Sequence, residues 1–195
     1  MGGAIASALR ERDFRGSRDE ILFLSGTAAG PRRVALIGIG AAPATVHALR
    51  RAASLAARTA GKMGTGSVAI IGDSFVPAQV EAIAAGLHAG AWQYLDTKSP
   101  LPDADKKAPV ESATIFAPVT PDTQAALDAG NAMGAGVSLA RTLGMTPGNI
   151  CTPDLLAATA RDLATRHGMR YTELDRRGLE AEKMGSFLAV AQGTP

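Results

Sequence analysis

Very little in this sequence of 195 residues announces chemistry, and each shortage excludes something. There is one cysteine, Cys151, so no intrachain disulfide can form, which agrees with a reducing compartment. Charge of either sign is scarce in excess: 20 Lys and Arg stand against 18 Asp and Glu, a net +2. That balance weighs against a nucleic-acid footprint. The densest basic group, Arg10 to Arg18, is interleaved with Glu11 and Asp13 and reads as a solvated face. Long apolar runs are missing too. The longest, Val34 to Val46, is broken by Gly38, Gly40 and Pro43 and is too short to span a bilayer. Met1 to Leu9 lacks the basic start and apolar centre of a signal peptide, and Ala6 stands where a myristoylation signal wants Ser or Thr. A cytoplasmic protein, with no membrane partner, is the expectation.

What is present is a globular composition, 46% apolar and 19% charged. Gly2 to Glu11 reads as a short helix with Ile5, Ala8 and Leu9 on one side. Glu20 to Leu24 has strand character. Arg33 to Ile39 is a near-continuous apolar run, the pattern of a strand buried on both faces. A helix is expected from Pro43 to about Ala60, a second buried strand from Ser67 to Ile71, and a helix from Pro77 to Tyr94. That helix carries Val80, Ile83, Ala84, Leu87, Ala91 and Tyr94 at helical spacing. The proline-bearing stretch Asp96 to Glu111 is a loop, and Ala113 to Ala117 a third strand. A long helix follows from Pro121 to about Leu143. Gly130, Gly134 and Gly136 inside it each cost about 1 kcal/mol against Ala, which points to close helix packing, to a helix linking two domains, or to both.

Beyond Met145 the pattern restarts. Thr152 is a good N-cap, Pro153 suits the first helical position and Asp154 the helix dipole. Leu155, Leu156, Thr159 and Leu163 make the expected buried stripe, and Gly168 the stop. Arg170 to Leu174 reads as a strand, Arg176 to Lys183 as a short helix, and the apolar run Phe187 to Ala191 as a last strand. Strands alternating with helices argue for βαβ units and a mainly parallel sheet.

No candidate active site emerges from the residues alone. Gly38-Ile39-Gly40 lies where a dinucleotide fingerprint would, but its third glycine is replaced by Pro43. His47, His88 and His167 have no metal-ligand spacing. Cys151, just before a helix N-cap, has no histidine near it in sequence. No serine sits in a G-x-S-x-G elbow. Asp73, at a strand end, stands alone and makes no acid–base pair. Catalytic, cofactor-binding and metal residues are therefore all read as none.

A resemblance carries the reading further. Ala140-Arg141-Thr142-Leu143, then Pro147-Gly148-Asn149-Ile150-Cys151-Thr152-Pro153 and Leu155-Leu156-Ala157, resemble the start of the catalytic domain of cytosolic leucyl aminopeptidases. So do Leu174-Asp175 and the run Met184-Gly185-Ser186-Phe187-Leu188-Ala189-Val190-Ala191-Gln192-Gly193. Toward the amino terminus, Gly2-Gly3-Ala4-Ile5, the segment from Arg15-Gly16 to Leu24, and Arg33-Val34-Ala35-Leu36-Ile37-Gly38-Ile39-Gly40 are similar to the same family. Met145 and Gly148 depart from it, standing where Asn and a second Pro are usual.

The resemblance implies an α/β fold in three parts. Residues 1–120 would be a macro-domain-like, mainly parallel sheet with flanking helices, residues 121–146 a linking helix, and residues 147–195 an incomplete second α/β unit beginning the catalytic domain. It implies a truncated piece of the family's chain, with the first strands upstream of Met1 and the metal ligands downstream of position 195. The whole enzyme would remove amino-terminal residues from peptides, as a homohexamer, with two divalent metal ions, Mn or Zn. Those ions would polarise the scissile carbonyl and activate a bridging water; none is expected in this piece. Two other readings stand beside it: a nucleotide- or ADP-ribose-binding module, from the Gly38 turn, and a DNA-contacting regulatory domain, which the charge balance opposes.

Overall fold

A computed structural model describes residues 2–26, 30–100, 102 and 105–193. The chain divides into two compact units, Met1–Thr142 and Leu143–Pro195.

In the first unit, helix α1 (Gly2–Arg10) leads into strands β1 (Ile21–Ser25) and β2 (Arg33–Ile37). These pair antiparallel, Ile21 opposite Ile37 and Ser25 opposite Arg33. Helix α2 (Val46–Lys62) then joins β2 to β3 (Ser67–Ile70), and α3 (Pro77–Ala91) joins β3 to β4 (Ser112–Ile115). Strands β3 and β4 pair in parallel, Ser67 with Ser112 and Ile70 with Ile115. Helix α4 (Pro121–Met145) closes the unit. The α/β class expected from the sequence holds. The parallel arrangement holds for β3 with β4, whereas β1 with β2 is antiparallel, because a short connection rather than a crossover helix joins them.

Local chemistry sets the boundaries. Helix α2 starts at Val46, not Pro43, because Thr45 is the cap: its backbone is extended and its hydroxyl accepts from the Ala48 N–H at 3.1 Å. Helix α3 opens with Pro77, and the Gln79 side chain reaches back to accept from the Val76 N–H at 3.1 Å. Thr120 and Thr123 cap α4 reciprocally, each hydroxyl accepting from the other residue's N–H, at 2.9 and 3.2 Å. The described residues between Asp96 and Glu111 form no strand or α-helix, as the prolines predict.

The core lies among the helices. Leu49, Ala53 and Ala57 of α2 are buried with Val80, Ile83 and Leu87 of α3, and Ile83 is only 1% exposed. The α3 spacing was legible, though the helix ends at Ala91 rather than Tyr94: Val80, Ile83, Ala84 and Leu87 are buried, Ala91 packs against the core, and Tyr94 is buried just beyond the helix. Glycine makes the helix crossings possible. A Cβ on Gly90 would stand 2.0 Å from the Ser54 carbonyl oxygen, one on Gly86 2.2 Å from that of Arg50. On α4, a Cβ on Gly130 would stand 2.5 Å from the Glu81 carbonyl oxygen, and one on Gly134 2.5 Å from the His88 Cβ. Close packing thus explains Gly130 and Gly134. It does not explain Gly136, where a Cβ would meet nothing within 4 Å.

Two strand expectations need correction. Strand β2 is not buried on both faces: Val34, Leu36 and Ile37 are half-buried and Ala35 is exposed. In β3, Ser67 and Ala69 are likewise exposed, and only Val68 and Ile70 turn toward the core.

The second unit holds α5 (Pro153–His167), α6 (Arg176–Ala181), α7 (Gly185–Val190) and a closing 3-10 turn, Ala191–Gly193. Thr152 caps α5, accepting from the Leu155 N–H at 3.4 Å, and Gly168 ends it in the left-handed region with φ 63°. Asp175 caps α6 through the Gly178 N–H at 2.8 Å. Three expectations fail here. Arg170 to Leu174 forms no strand, and Phe187 to Val190 is helical rather than extended. The α5 stripe is poorly buried: Leu155 and Leu156 are exposed, Thr159 and Leu163 half-buried, and Ala164 is the residue that goes inside. A short apolar run does not by itself distinguish strand from helix, and Gly185 to Val190 lacks the partner strand that would decide for β.

Candidate functional site

A groove of about 330 Å³ lies between α3, β4 and α4 in the first unit. Its walls include Val80, Leu87 and Leu127, and its polar edge His88, Asn131 and Gln124. His88 Nε2 lies 3.2 Å from Asn131 Oδ1. Gln124 is occupied, donating to Asp128 Oδ1 at 3.0 Å. Thr123 lines the groove with its hydroxyl engaged, donating to the Pro118 carbonyl at 2.6 Å. The arrangement can shelter an apolar group beside one imidazole. It pairs no nucleophile with a base and no acid with a base. Nothing in the sequence marks this pair, since His88 and Asn131 stand on different helices; the usable signal was Gly134, which lets α4 approach His88 closely.

The Gly38 turn is a junction in the backbone ladder. The Gly38 N–H donates to the Glu20 carbonyl at 2.8 Å, the Gly40 N–H to the Gly16 carbonyl at 3.0 Å, and the Gly38 carbonyl accepts from the Asp19 N–H at 3.2 Å. A Cβ at Gly38 would stand 1.9 Å from the Ser17 carbonyl oxygen, and Gly40 takes φ 83°, so both positions need glycine for backbone reasons. The two glycine donors a phosphate would require are already engaged, which opposes the nucleotide reading. Beside the turn, Arg51 donates to both carboxylate oxygens of Asp19, Nε at 2.7 Å to Oδ1. That hydrogen bond holds the Asp19 carboxyl below its ordinary value. His47 lines the same small recess with Arg18.

The remaining candidates do not converge. Asp73 is exposed just beyond β3. Cys151 is half-buried in the second unit, its N–H donating to the Pro147 carbonyl at 2.8 Å. His167 is exposed at the end of α5. Among the described residues no three His, Cys, Asp or Glu side chains stand close enough to hold a metal ion. A two-metal centre needs such a donor set, so these residues do not fit one, and no hydrolytic step is assigned to them.

The motif residues that carried the resemblance have structural work. Arg141 lies over the Trp92 ring, 3.9 Å from its centroid, and donates from Nη1 to the Ala89 carbonyl at 2.9 Å. Trp92 Nε1 donates to Thr142 Oγ1 at 3.1 Å. This part of α4 is thereby tied to the end of α3. In the following turn the Ile150 N–H donates to the Pro147 carbonyl at 2.8 Å. A Cβ at Gly148 would meet nothing within 4 Å, so the departure there leaves a position that admits a side chain. In the second unit Arg161 pairs with Glu173 at 2.6 Å, and the Tyr171 hydroxyl donates to Glu173 at 2.8 Å. The hydrogen bond from Arg161 lowers the Glu173 carboxyl, and Glu173 raises the Tyr171 hydroxyl.

An α/β first unit, followed by a helical unit that opens on a Thr-Pro cap, is the class of chain this structure defines. The chain belongs to the cytosol aminopeptidase family, a family of metal-dependent peptidases. The family's N-terminal domain matches residues 1–101 and its catalytic domain matches residues 138–195. A "Probable cytosol aminopeptidase" of Parasynechococcus marenigrum is 35% identical over 193 residues, covering 97% of this chain and 39% of the relative. One of the same description from Bordetella parapertussis is 34% identical over 202 residues, covering 98% of this chain and 40% of the relative. Among solved structures, a tomato leucine aminopeptidase variant superposes with a TM-score of 0.81 at 26% identity, over 99% of this chain and 39% of that one. The bottromycin maturation enzyme BotP in complex with Mn gives 0.64 at 25% identity, over 82% and 33%. The resemblance drawn from residues 140–195 is confirmed, and the chain spans about two fifths of the length of the relatives it matches. No helix among the described residues is long and apolar enough to cross a membrane.

Proposed function

We propose that this chain serves a metal-dependent aminopeptidase that removes amino-terminal residues from peptides in the cytoplasm, as part of a homohexamer using two divalent ions, Mn or Zn. The observation that carries the reading is the catalytic-domain match over residues 138–195, on a fold that superposes on a leucine aminopeptidase. In this reading residues 1–120 are an amino-terminal domain, residues 121–146 a linking helix and residues 147–195 the first part of the catalytic domain. The role of the 195 residues is architectural: α4 is fixed to α3 through Arg141, Trp92 and Thr142, and Thr152 fixes the direction of α5.

The test is hydrolysis of leucine p-nitroanilide with Mn or Zn added. The 195-residue chain alone should give no turnover. The same chain, continued with the unmatched downstream sequence of the Parasynechococcus marenigrum relative, should give metal-dependent turnover. Turnover by the chain alone, or none by a folded hexameric chimera, overturns the proposal.

A further inference from the structure

We infer that the outward face of α2 is a docking surface for an acidic segment of another polypeptide. Charge is nearly balanced over the whole chain, 20 Lys and Arg against 18 Asp and Glu. It is not balanced on α2, which carries His47, Arg50, Arg51, Arg58 and Lys62 and no acidic residue. At 3.6 residues per turn, His47, Arg51, Arg58 and Lys62 fall within about 60° of the helix circumference and span about 22 Å of its length. All four are exposed, whereas Leu49, Ala53 and Ala57 on the far side enter the core. Lys107 lengthens the row: its Nζ donates to the Lys62 carbonyl at 2.6 Å, which brings a further ammonium to the end of the helix.

The row does nothing for the helix that carries it. Thr45 caps α2, and neither that cap nor the core uses Arg58 or Lys62. Arg58 and Lys62 are like charges four residues apart, a spacing that weakens a helix. Asp19 compensates Arg51. Among the described residues no carboxylate compensates Arg58, Lys62 or Lys107. Three cations thus stand together without a counter-charge, and a bound polyanion relieves their repulsion. Another copy of this chain is a poor source of that polyanion. No described helix holds more than two acidic residues, and Glu180 and Glu182 stand among Arg176, Arg177 and Lys183. Two features favour a polypeptide over a nucleic acid. The row is one residue wide, whereas a duplex presents phosphates on two strands. From Met63 onward Asp and Glu outnumber Lys and Arg, 14 against 10, so a long polyanion that overran the row would be repelled. A short acidic segment matches the row. Carboxylates four residues apart on a helix, or two apart on a strand, recur every 6–7 Å or so, close to the rise of about 6 Å from Arg58 to Lys62.

The probe is a fluorescein-labelled oligoglutamate peptide, titrated with the 195-residue chain and followed by fluorescence anisotropy at low and at physiological salt. Binding should saturate and should weaken as salt rises. Arg58→Glu combined with Lys62→Glu should weaken it about tenfold or more, because both cations face the bound carboxylates. Arg58→Gln combined with Lys62→Gln, which removes the charges and adds none, should give a smaller loss. Arg170→Glu combined with Arg177→Glu makes the same change in net charge on the second unit and should leave binding as it was. All six substitutions fall at exposed positions, and an unchanged circular dichroism spectrum shows that each variant is folded. Equal losses in the two charge-reversed pairs would reduce the effect to net charge and overturn the inference. So would no binding of the peptide at low salt. Tighter binding of a DNA duplex of equal charge, or of vesicles containing phosphatidylserine, would assign the row to a different partner and overturn it too. No metal is added and no hydrolysis is read, so none of these outcomes bears on the peptidase activity of the preceding proposal.

Discussion

The two units solve the same problem with different success. The first buries Ile83, Val80, Leu87 and a ladder of alanines between helices that approach as closely as glycine allows. Among its described residues the second buries one apolar side chain, Ala164, and leaves Phe187 61% and Val190 89% exposed. Both are apolar in sequence. The difference is geometric: α2, α3 and α4 cross over glycines at van der Waals range, whereas α6 and α7 are six residues each and too short to offer a face. Apolar composition creates the demand for burial, and helix length together with small residues at crossings decides whether the demand is met.

The sharpest test of that contrast is a pair of truncations. Ile83→Ala should cost about 2–5 kcal/mol, the range for a fully buried Ile whose cavity cannot collapse. Phe187→Ala should stay within about 0.5 kcal/mol, as for exposed positions. Urea unfolding measures both, and equal losses would mean that Phe187 has a core partner in solution. A finer version stays on one helix. Gly134→Ala drives a Cβ against His88 and should destabilise by about 1–3 kcal/mol. Gly136→Ala meets open space and should stabilise by about 0.5–1 kcal/mol through helix propensity. If both destabilise, the close packing of α4 extends further than the helix crossing.

Much of the chain was legible where its signals are local. Apolar spacing gave α3, the glycines inside α4 gave its close packing at Gly130 and Gly134 though not at Gly136, and in the second unit Thr152 with Pro153 gave the start of α5. What failed depended on partners. The β2 run reads as doubly buried, and whether it is depends on which strands flank it, which Val34 and Leu36 cannot encode. Arg170 to Leu174 and Phe187 to Ala191 have strand composition, yet without a neighbouring strand the backbone of the first stays irregular and the second coils into α7. The groove beside His88 was invisible for the same reason, being assembled from three elements. The Gly38 turn was legible in part: its glycines are needed, but for the ladder with Gly16 to Glu20 rather than for a ligand.

The smallest predicted difference between the units is their response to pH. In the first unit Asp19 is held below its ordinary 3.8 by the Arg51 hydrogen bond. Its stabilising effect is full above that value and is lost as pH falls through the lowered one. In the second unit Glu173 is held below 4.5 by Arg161, so it too loses its effect on acidification. Tyr171, raised above 10.0 by its hydrogen bond to Glu173, adds a second limit: its effect is full below that value and is lost as pH rises through the raised one. Asp19 and Glu173 are exposed and Tyr171 is half-buried, so each effect is small and screened by salt. The second unit should therefore weaken at both ends of the pH range, and the first, through this pair, at the acid end alone. Amide exchange of α5 against α2, followed from pH 3 to about 11, separates the two. Tyr171→Phe should remove the alkaline loss in α5 and leave α2 unchanged. An alkaline loss that survives in Tyr171→Phe would place its origin in a group other than the Tyr171 hydroxyl.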